Sequence, residues 1–489
     1  MSRRWCVHGR SATWGFVALT WAATDLGAAG SPLIEAIRGR DIDQVRALLR
    51  GSVDVNAALG DGATPLHWAV HLDDAPVVEL LLRAGARVNV ANDLGITPVY
   101  VSCTNRNGAL TERLLEGGAD PGAVLPNGET VLMNCARTGS TRGVRALVGK
   151  GADPNAKEST HDQTALMWAA AQRHPEAVAA LLKAGANLAH RTRTYQQTVT
   201  SEVTQRAGRE ELNYVVPRGG STALLFAARS GDVESVRLLV EAGAPVNDAL
   251  PTGMAAVTLA AHSGHGAAAA LLLEKGADPN AAEVGYTALH AAVLRRDVDL
   301  VRTLLRFKAN PDARMARGTP MRRTSQDFDL PAVLIGATPF ALAAKFLEAE
   351  MARELAGAGA DVRLGLPDGS TPLMLALGVG VVNNADRRGL SILDGGVIEG
   401  EDQVLATVEA IVALGADLHA VSRGGDSALH VAAQRAYDRT IRFLVEKGAP
   451  LNVRNARGLT PLGTLLARPG PAGERASTIQ TLRSLGAPE

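Results

Sequence analysis

Histidine, cysteine and arginine are the residues with which this chain could do chemistry. His67 and His71 stand four apart, the spacing at which two imidazoles on one helix share a metal. His262 and His265 stand three apart. Neither pair has a third ligand close in sequence. The acidic residues in the recurring Gly-Ala-Asp-Pro-Asn phrases are too sparse for calcium loops. No metal and no cofactor is expected. His262-Ser263-Gly264 lacks the first glycine of a nucleophile elbow, and Gly149-Lys150 is followed by Gly151 where a phosphate loop needs Ser or Thr. No catalytic set is recognisable, so an enzyme is not expected.

The elements that position these residues come from a chain of 489 residues with 50 basic and 50 acidic side chains. A hydrophobic content of 46% is enough for a large folded body and rules out wholesale disorder. Zero formal net charge argues against a nucleic-acid partner. No uncharged apolar run reaches the length of a membrane span. Aromatic residues make up only 3%, so the core must be built from small side chains that let backbones approach closely.

From residue 31 onward the chain repeats. The phrase T-P-L-H, or a variant, begins at Ser31, Thr64, Thr97, Thr130, Thr164, Thr222, Ala255, Thr287, Thr338, Thr371, Ser427 and Thr460. The clearest copies are ATPLHWAV, YTALHAAV and DSALHVAA, and each copy closes in a phrase such as LLLEKGADPN. The usual spacing is 33 residues. Apolar residues at helical spacing, such as Val78, Leu81 and Leu82, place two short helices in each unit. The Thr hydroxyl suits the helix N-cap, and Pro suits its first turn. One glycine follows the second helix, with Lys308 as the exception. Another lies two residues before the phrase, with Asp162 as the exception.

A period of 33 with T-P-L-H-x-A resembles the ankyrin-repeat family, in twelve copies over residues 31–489. The resemblance implies an all-α solenoid of helix-turn-helix units with β-hairpin-like fingers. It also implies that His67, His290 and His430 bridge loop backbone groups. Arg475, Arg483 and Ser484 suit a C-terminal cap. Cys103 and Cys135 fall on the first helices of adjacent copies, one place out of phase. Copies stack about 10 Å apart, beyond disulfide reach, so both are expected as buried free thiols.

Residues 1–29 differ from the rest. Arg3, Arg4 and Arg10 precede an uncharged stretch from Ser11 to Thr24 and the small residues Gly27, Ala28 and Ala29. This is the pattern of a secretory signal peptide. A bacterial protein, exported to the periplasm or secreted, is expected, with a cytoplasmic location as the alternative.

Three intervals exceed the period, giving insertions near 191–219, 313–335 and 378–402. The first, rich in Thr, Val and Tyr, reads as an extended hairpin finger, with a short helix near Glu202–Glu211 as the alternative. It brings Arg191, Arg193, Tyr195, Arg206, Arg209, Tyr214 and Arg218. The second brings Arg314, Arg317, Arg322, Arg323 and Phe328, and the third Arg387 and Arg388. Long loops on a rigid scaffold commonly carry function. These arginines suit carboxylates on a protein partner, and the aromatic residues suit apolar anchoring. They pair equally well with the acidic residues inside the inserts. The function expected is therefore a non-enzymatic, monomeric protein-binding scaffold acting through its concave face and inserted loops. The alternative is a small-ligand or enzymatic site built by those loops, with Asp386, Arg387, Arg388 and Asp394 as its candidates.

Overall fold

The computed structural model describes residues 31–201, 212–318, 334–378, 400–467 and 475–489, with side chains left out at 199–201 and 212–214. Among them are twenty-four helices, α1 (Pro32–Arg38) to α24 (Ala476–Ser484) in chain order, and two strands, β1 (Tyr195–Ser201) and β2 (Leu212–Arg218). Every phrase start is a helix N-cap. Ser31 caps α1, Thr64 caps α3 (Pro65–His71), Thr97 caps α5 (Pro98–Thr104), and so on to Thr460 before α23 (Pro461–Leu466). The caps are extended, as at Thr64 (φ −90°, ψ 167°), so the chain enters each helix straight from a finger. At Thr130 the hydroxyl accepts the Met133 N–H at 3.1 Å, satisfying one of the helix's orphan donors. The array is helical as the repeat implies.

The described residues group into two compact units. One holds residues 31–195 and 217–251, and the other 196–216 and 252–489. In the first, inner helices pack on inner helices, as α5 on α7 (Val131–Thr138) and α7 on α9 (Ala165–Ala171). Outer helices pack on outer ones, as α6 (Gly108–Glu116) on α8 (Thr141–Gly149). The second repeats this order, with α15 (Ala288–Arg295) on α17 (Pro339–Lys345). Each outer helix buries one stripe. In α16 (Val298–Arg306) it is Leu300, Val301 and Leu304, while Asp297 accepts the Leu300 N–H at 2.9 Å. Fully burying each such side chain stabilises by about 1.5–3 kcal/mol. The core is alanine-rich, with Ala69, Ala136, Ala169, Ala227 and Ala292 at 0% exposure, which is why so few aromatic residues suffice.

Left-handed backbone recurs at fixed places. The glycine after the second helix has positive φ from Gly85 to Gly486, and so does the glycine of each finger. Gly51 differs, with an extended φ of −87°. The two exceptions in sequence are not exceptions in conformation: Lys308 has φ 67° and Asp162 φ 57°. A third left-handed position turns the chain from the inner to the outer helix. In the first unit it holds Arg40, Asp73, Arg106, Gly139, Arg173 and Gly231, and in the second Gly264, Arg296, Leu347 and Ala436. A β-carbon there costs about 1 kcal/mol.

The two cysteines form a disulfide. Cys103 on α5 and Cys135 on α7 are joined with their Cα atoms 4.6 Å apart, which overturns the expectation of free thiols. The spacing of about 10 Å holds between equivalent positions of neighbouring helices. The one-place phase difference turns these two side chains toward each other across the interface. Glycine brings the backbones together: a β-carbon on Gly143 would lie 2.6 Å from the Cys135 sulfur, and one on Gly108 would lie 2.5 Å from Arg142 Cβ.

Candidate functional site

The histidines of the repeat phrase build the scaffold. His67 is fully buried. Its Nδ1 accepts the Thr64 N–H at 3.1 Å, and its Nε2 meets the Ile96 carbonyl at 2.9 Å. An amide can only donate and a carbonyl can only accept, so the ring is neutral with its proton on Nε2. His290 repeats the pattern on Thr287 and Ala337, and His430 on Ser427 and Leu459. Burial pushes His67 below the ordinary histidine range and His290 down to about 4. The bridging role that the resemblance implied is what these three rings perform. His262 lies against Tyr286, ring to ring at 5.8 Å, and His265 is the N-cap residue of α14 (Gly266–Glu274). Among the described residues no cluster of His, Cys, Asp or Glu is arranged to hold a metal.

The arginines at the insert bases are staples. Arg191 donates to the carbonyls of Gly220 at 2.8 Å and Ala249 at 3.0 Å, and pairs with Asp248, which also accepts from Thr222. Arg314 does the same one insert later, donating to Gly336 at 2.9 Å and Gly365 at 3.0 Å. In each case one guanidinium ties the start of an insert to the glycine that ends it and to the following finger. Arg193 pairs with Asp162 at 2.9 Å, and Arg317 donates to the Glu283 carbonyl at 3.1 Å. These four heads are fixed by the array's own groups, so what they offer a partner is their half-exposed remainder.

The first insert carries a two-stranded sheet, β1 hydrogen-bonded to β2, in line with the extended-finger reading. Its base is closed by the Thr192 N–H on the Ser221 carbonyl and the Gly220 N–H on the Thr192 carbonyl. Tyr195 is 49% exposed and Val215 59% exposed. Arg218 lies at the end of β2, and Tyr214 is within β2 with its side chain outside the description. Met315 and Leu334, flanking the second insert, are buried on the array. Arg206, Arg209, Arg322, Arg323, Phe328, Arg387 and Arg388 lie outside the described residues, as do Asp386 and Asp394. The third insert separates α19 (Pro372–Ala376) from α20 (Glu401–Ala413), two helices of one pair.

Three features escaped the sequence reading. A buried network joins the Tyr100 hydroxyl to Glu129 at 2.7 Å, with Arg137 reaching the same carboxylate and stacking over Trp168. Burial and the Glu129 charge push the Tyr100 phenol up. A cleft of about 370 Å³ opens between α19 and α21 (Ala428–Gln434), lined by Asp368, Met374, Arg423, Asp426 and Arg435. Arginines also occupy left-handed turns where other copies carry glycine; that substitution at a fixed phase was visible in the sequence. His174, beside one of them, is held below its ordinary range by burial, with the charge of Arg106 adding to the effect.

Family models of ankyrin repeats match the chain at 99–192, 208–283 and 224–317 in the three-copy form, at 61–93 and 424–456 as single repeats, and at 166–240 in the many-copy form. Together they reach over more than half of it. The chain belongs to the ankyrin-repeat family. This ankyrin-repeat chain is 34% identical over 108 residues to "Neurogenic locus notch homolog protein 1" of Xenopus laevis, covering 22% of this chain and 4% of that protein. It is 47% identical over 57 residues to "Protein PhlB" of Serratia liquefaciens, covering 12% of this chain and 25% of that one. Among solved structures it is similar to the human ASB11 ankyrin repeat domain, with a TM-score of 0.41 and 24% identity over 51% of this chain and all of that one. Ankyrin repeats generally mediate protein–protein interaction. No helix among the described residues is long and apolar enough to cross a membrane.

Proposed function

We propose that this ankyrin-repeat protein is a non-enzymatic, monomeric scaffold that binds one protein partner across its inner face and inserted loops, in an exported compartment. The observation that carries the reading is the assignment of the chemistry-bearing groups. His67, His290 and His430 hold fingers to helices, and Arg191 and Arg314 staple insert bases. What remains for function is surface, with Tyr195 and Val215 displayed on a finger that is itself pinned at its base. The charged leader with its short apolar stretch supports export, and so does the Cys103–Cys135 disulfide, since such bonds persist in oxidising compartments. A bacterial source fits the Serratia relative.

The cleft between α19 and α21 favours a second reading, in which a small polar ligand binds beside the third insert, facing Asp368, Asp426, Arg423 and Arg435. A pull-down from native fractions separates the two. The bait is residues 30–489, beside a version with all three inserts cut to repeat length. The scaffold reading expects a protein retained by the first and weakened in the second. Retention of no protein, with a small molecule co-purifying instead, overturns it. Fractionation of the full chain tests export.

A further inference from the structure

We infer that the cleft between α19 and α21 binds a small zwitterion of amino-acid or dipeptide size, a molecule with an ammonium, a carboxylate and an apolar body. This inference rests on the small-ligand reading and names the chemistry of that ligand. The cleft measures about 370 Å³, the size of an ordinary small-molecule site. It lies where one side chain of the repeat is missing. Gly378 stands seven residues after its phrase start, and every other copy carries a side chain at that place, as at His71, Arg137, Leu294 and Gln434. Its φ of 99° is a glycine conformation. A β-carbon there would lie 3.1 Å from Arg435 Nε, so a side chain would press on a guanidinium that lines the cleft. Met374 and Val431, both buried, give the cleft its apolar lining.

Four charged side chains line the same space: Asp368, Arg423, Asp426 and Arg435. Opposite charges that share a cleft ordinarily pair. Among the described residues none of these four makes an ion pair. Each is held by an uncharged group instead. Arg423 donates to the Pro367 carbonyl at 3.1 Å, and Arg435 to the Gly378 carbonyl at 2.7 Å. Asp368 accepts the Ser370 N–H at 2.9 Å, and Asp426 accepts from Asn455 Nδ2 at 2.8 Å. A guanidinium has several further donors and a carboxylate several further acceptor sites, so most of their capacity is unspent.

This arrangement selects the ligand. A simple anion would face two carboxylates, and a simple cation would face two guanidiniums. A zwitterion meets both signs at once. Its carboxylate goes to Arg423 and Arg435, its ammonium to Asp368 and Asp426, and its apolar body to Met374 and Val431. The heads are already anchored on the chain's own groups, which lowers the ordering cost of binding.

The test is calorimetric titration of the full chain with leucine and with the dipeptide Leu-Leu, which differ in the separation of their charges. N-acetylleucine, leucinamide and N-acetylleucinamide lack one or both charges. At least one zwitterion should bind, and removing either of its charges should weaken it about tenfold or more, as for truncated charge contacts. R423Q/R435Q should weaken the zwitterion by a similar factor while binding leucinamide at least as well as the parent, a split that a loss of structure would not give. D368N/D426N should do the reverse, sparing N-acetylleucine. R454Q removes another arginine anchored on a backbone carbonyl, away from the cleft, and should bind as the parent does. The inference is overturned if neither zwitterion binds, if N-acetylleucinamide binds as tightly as the zwitterions, or if R423Q/R435Q binds every probe as the parent does. Mass spectrometry of the natively purified chain then judges the wider reading. A co-purifying small molecule that is lost in R423Q/R435Q keeps the small-ligand reading without the zwitterion, and its absence removes both.

Discussion

Two inner-helix interfaces of the same repeat have opposite character. Between α5 and α7 the backbones close until Cys103 and Cys135 Cα atoms are 4.6 Å apart, with Gly108 and Gly143 removing the side chains that would hold their outer helices off. Between α19 and α21 a cleft of about 370 Å³ opens. There α19 has only five residues, because an insertion interrupts its pair, and Arg435 reaches across to the Gly378 carbonyl at 2.7 Å. The repeat pattern is the same at both places. Side-chain volume and helix length decide whether neighbours clasp or part.

The largest expected effect removes the clasp. C103A/C135A, or reduction of the parent, should cost about 3–4 kcal/mol by the loop-entropy relation for a bridge spanning 32 residues. Urea unfolding measures it, and hydrogen exchange should quicken in α5 and α7 but not in α19 and α21. Equal loss of protection at both interfaces would break the comparison.

Acidification comes next and acts on the second unit. His290 is neutral and its pKa is lowered to about 4 in the fold. Its stabilisation is therefore complete above the unfolded value of about 6.5 and is lost as pH falls toward 4. The loss amounts to about 3 kcal/mol. His67 acts in the same direction in the first unit. A flat stability profile between those pH values would remove the buried neutral ring from the account. H290Q should flatten the profile in part.

Gly143→Ala sharpens the clasp, since its new carbon would sit 2.6 Å from the Cys135 sulfur and 2.8 Å from Ser140 Oγ. A loss of about 2 kcal/mol is expected, as for other overpacked sites. The same change at Gly357 in the second unit, which has nothing within 4 Å, should be close to neutral. The smallest effect is a gain. Lys308→Gly relieves a left-handed lysine at φ 67° and should stabilise by about 1 kcal/mol. A lower melting temperature for this variant would show that the lysine side chain does more than occupy the turn.

Much of the fold was legible because its signals are local. Capping and turn chemistry act over three or four residues, so the phrase starts marked the helix N-caps; that Lys308 and Asp162, the two breaks in the glycine pattern, keep the left-handed turn came from the structure. Less of the site was legible. Arg191 and Arg314 looked like partner contacts in the sequence, and the structure gives their heads to carbonyls 29 and 58 or 22 and 51 residues away. No periodicity reports which of two acceptors, a partner's or the chain's own, comes within reach.

The sequence by itself determined the period, the helix starts and, through them, the family, because each follows from short-range steric and hydrogen-bonding preferences; the bridging histidines were implied only by that resemblance. Only the tertiary structure decided that the two cysteines are bonded and that arginines staple the inserts at their bases. Those outcomes depend on distances between copies, and such distances are set by how closely the stacked helices can pack.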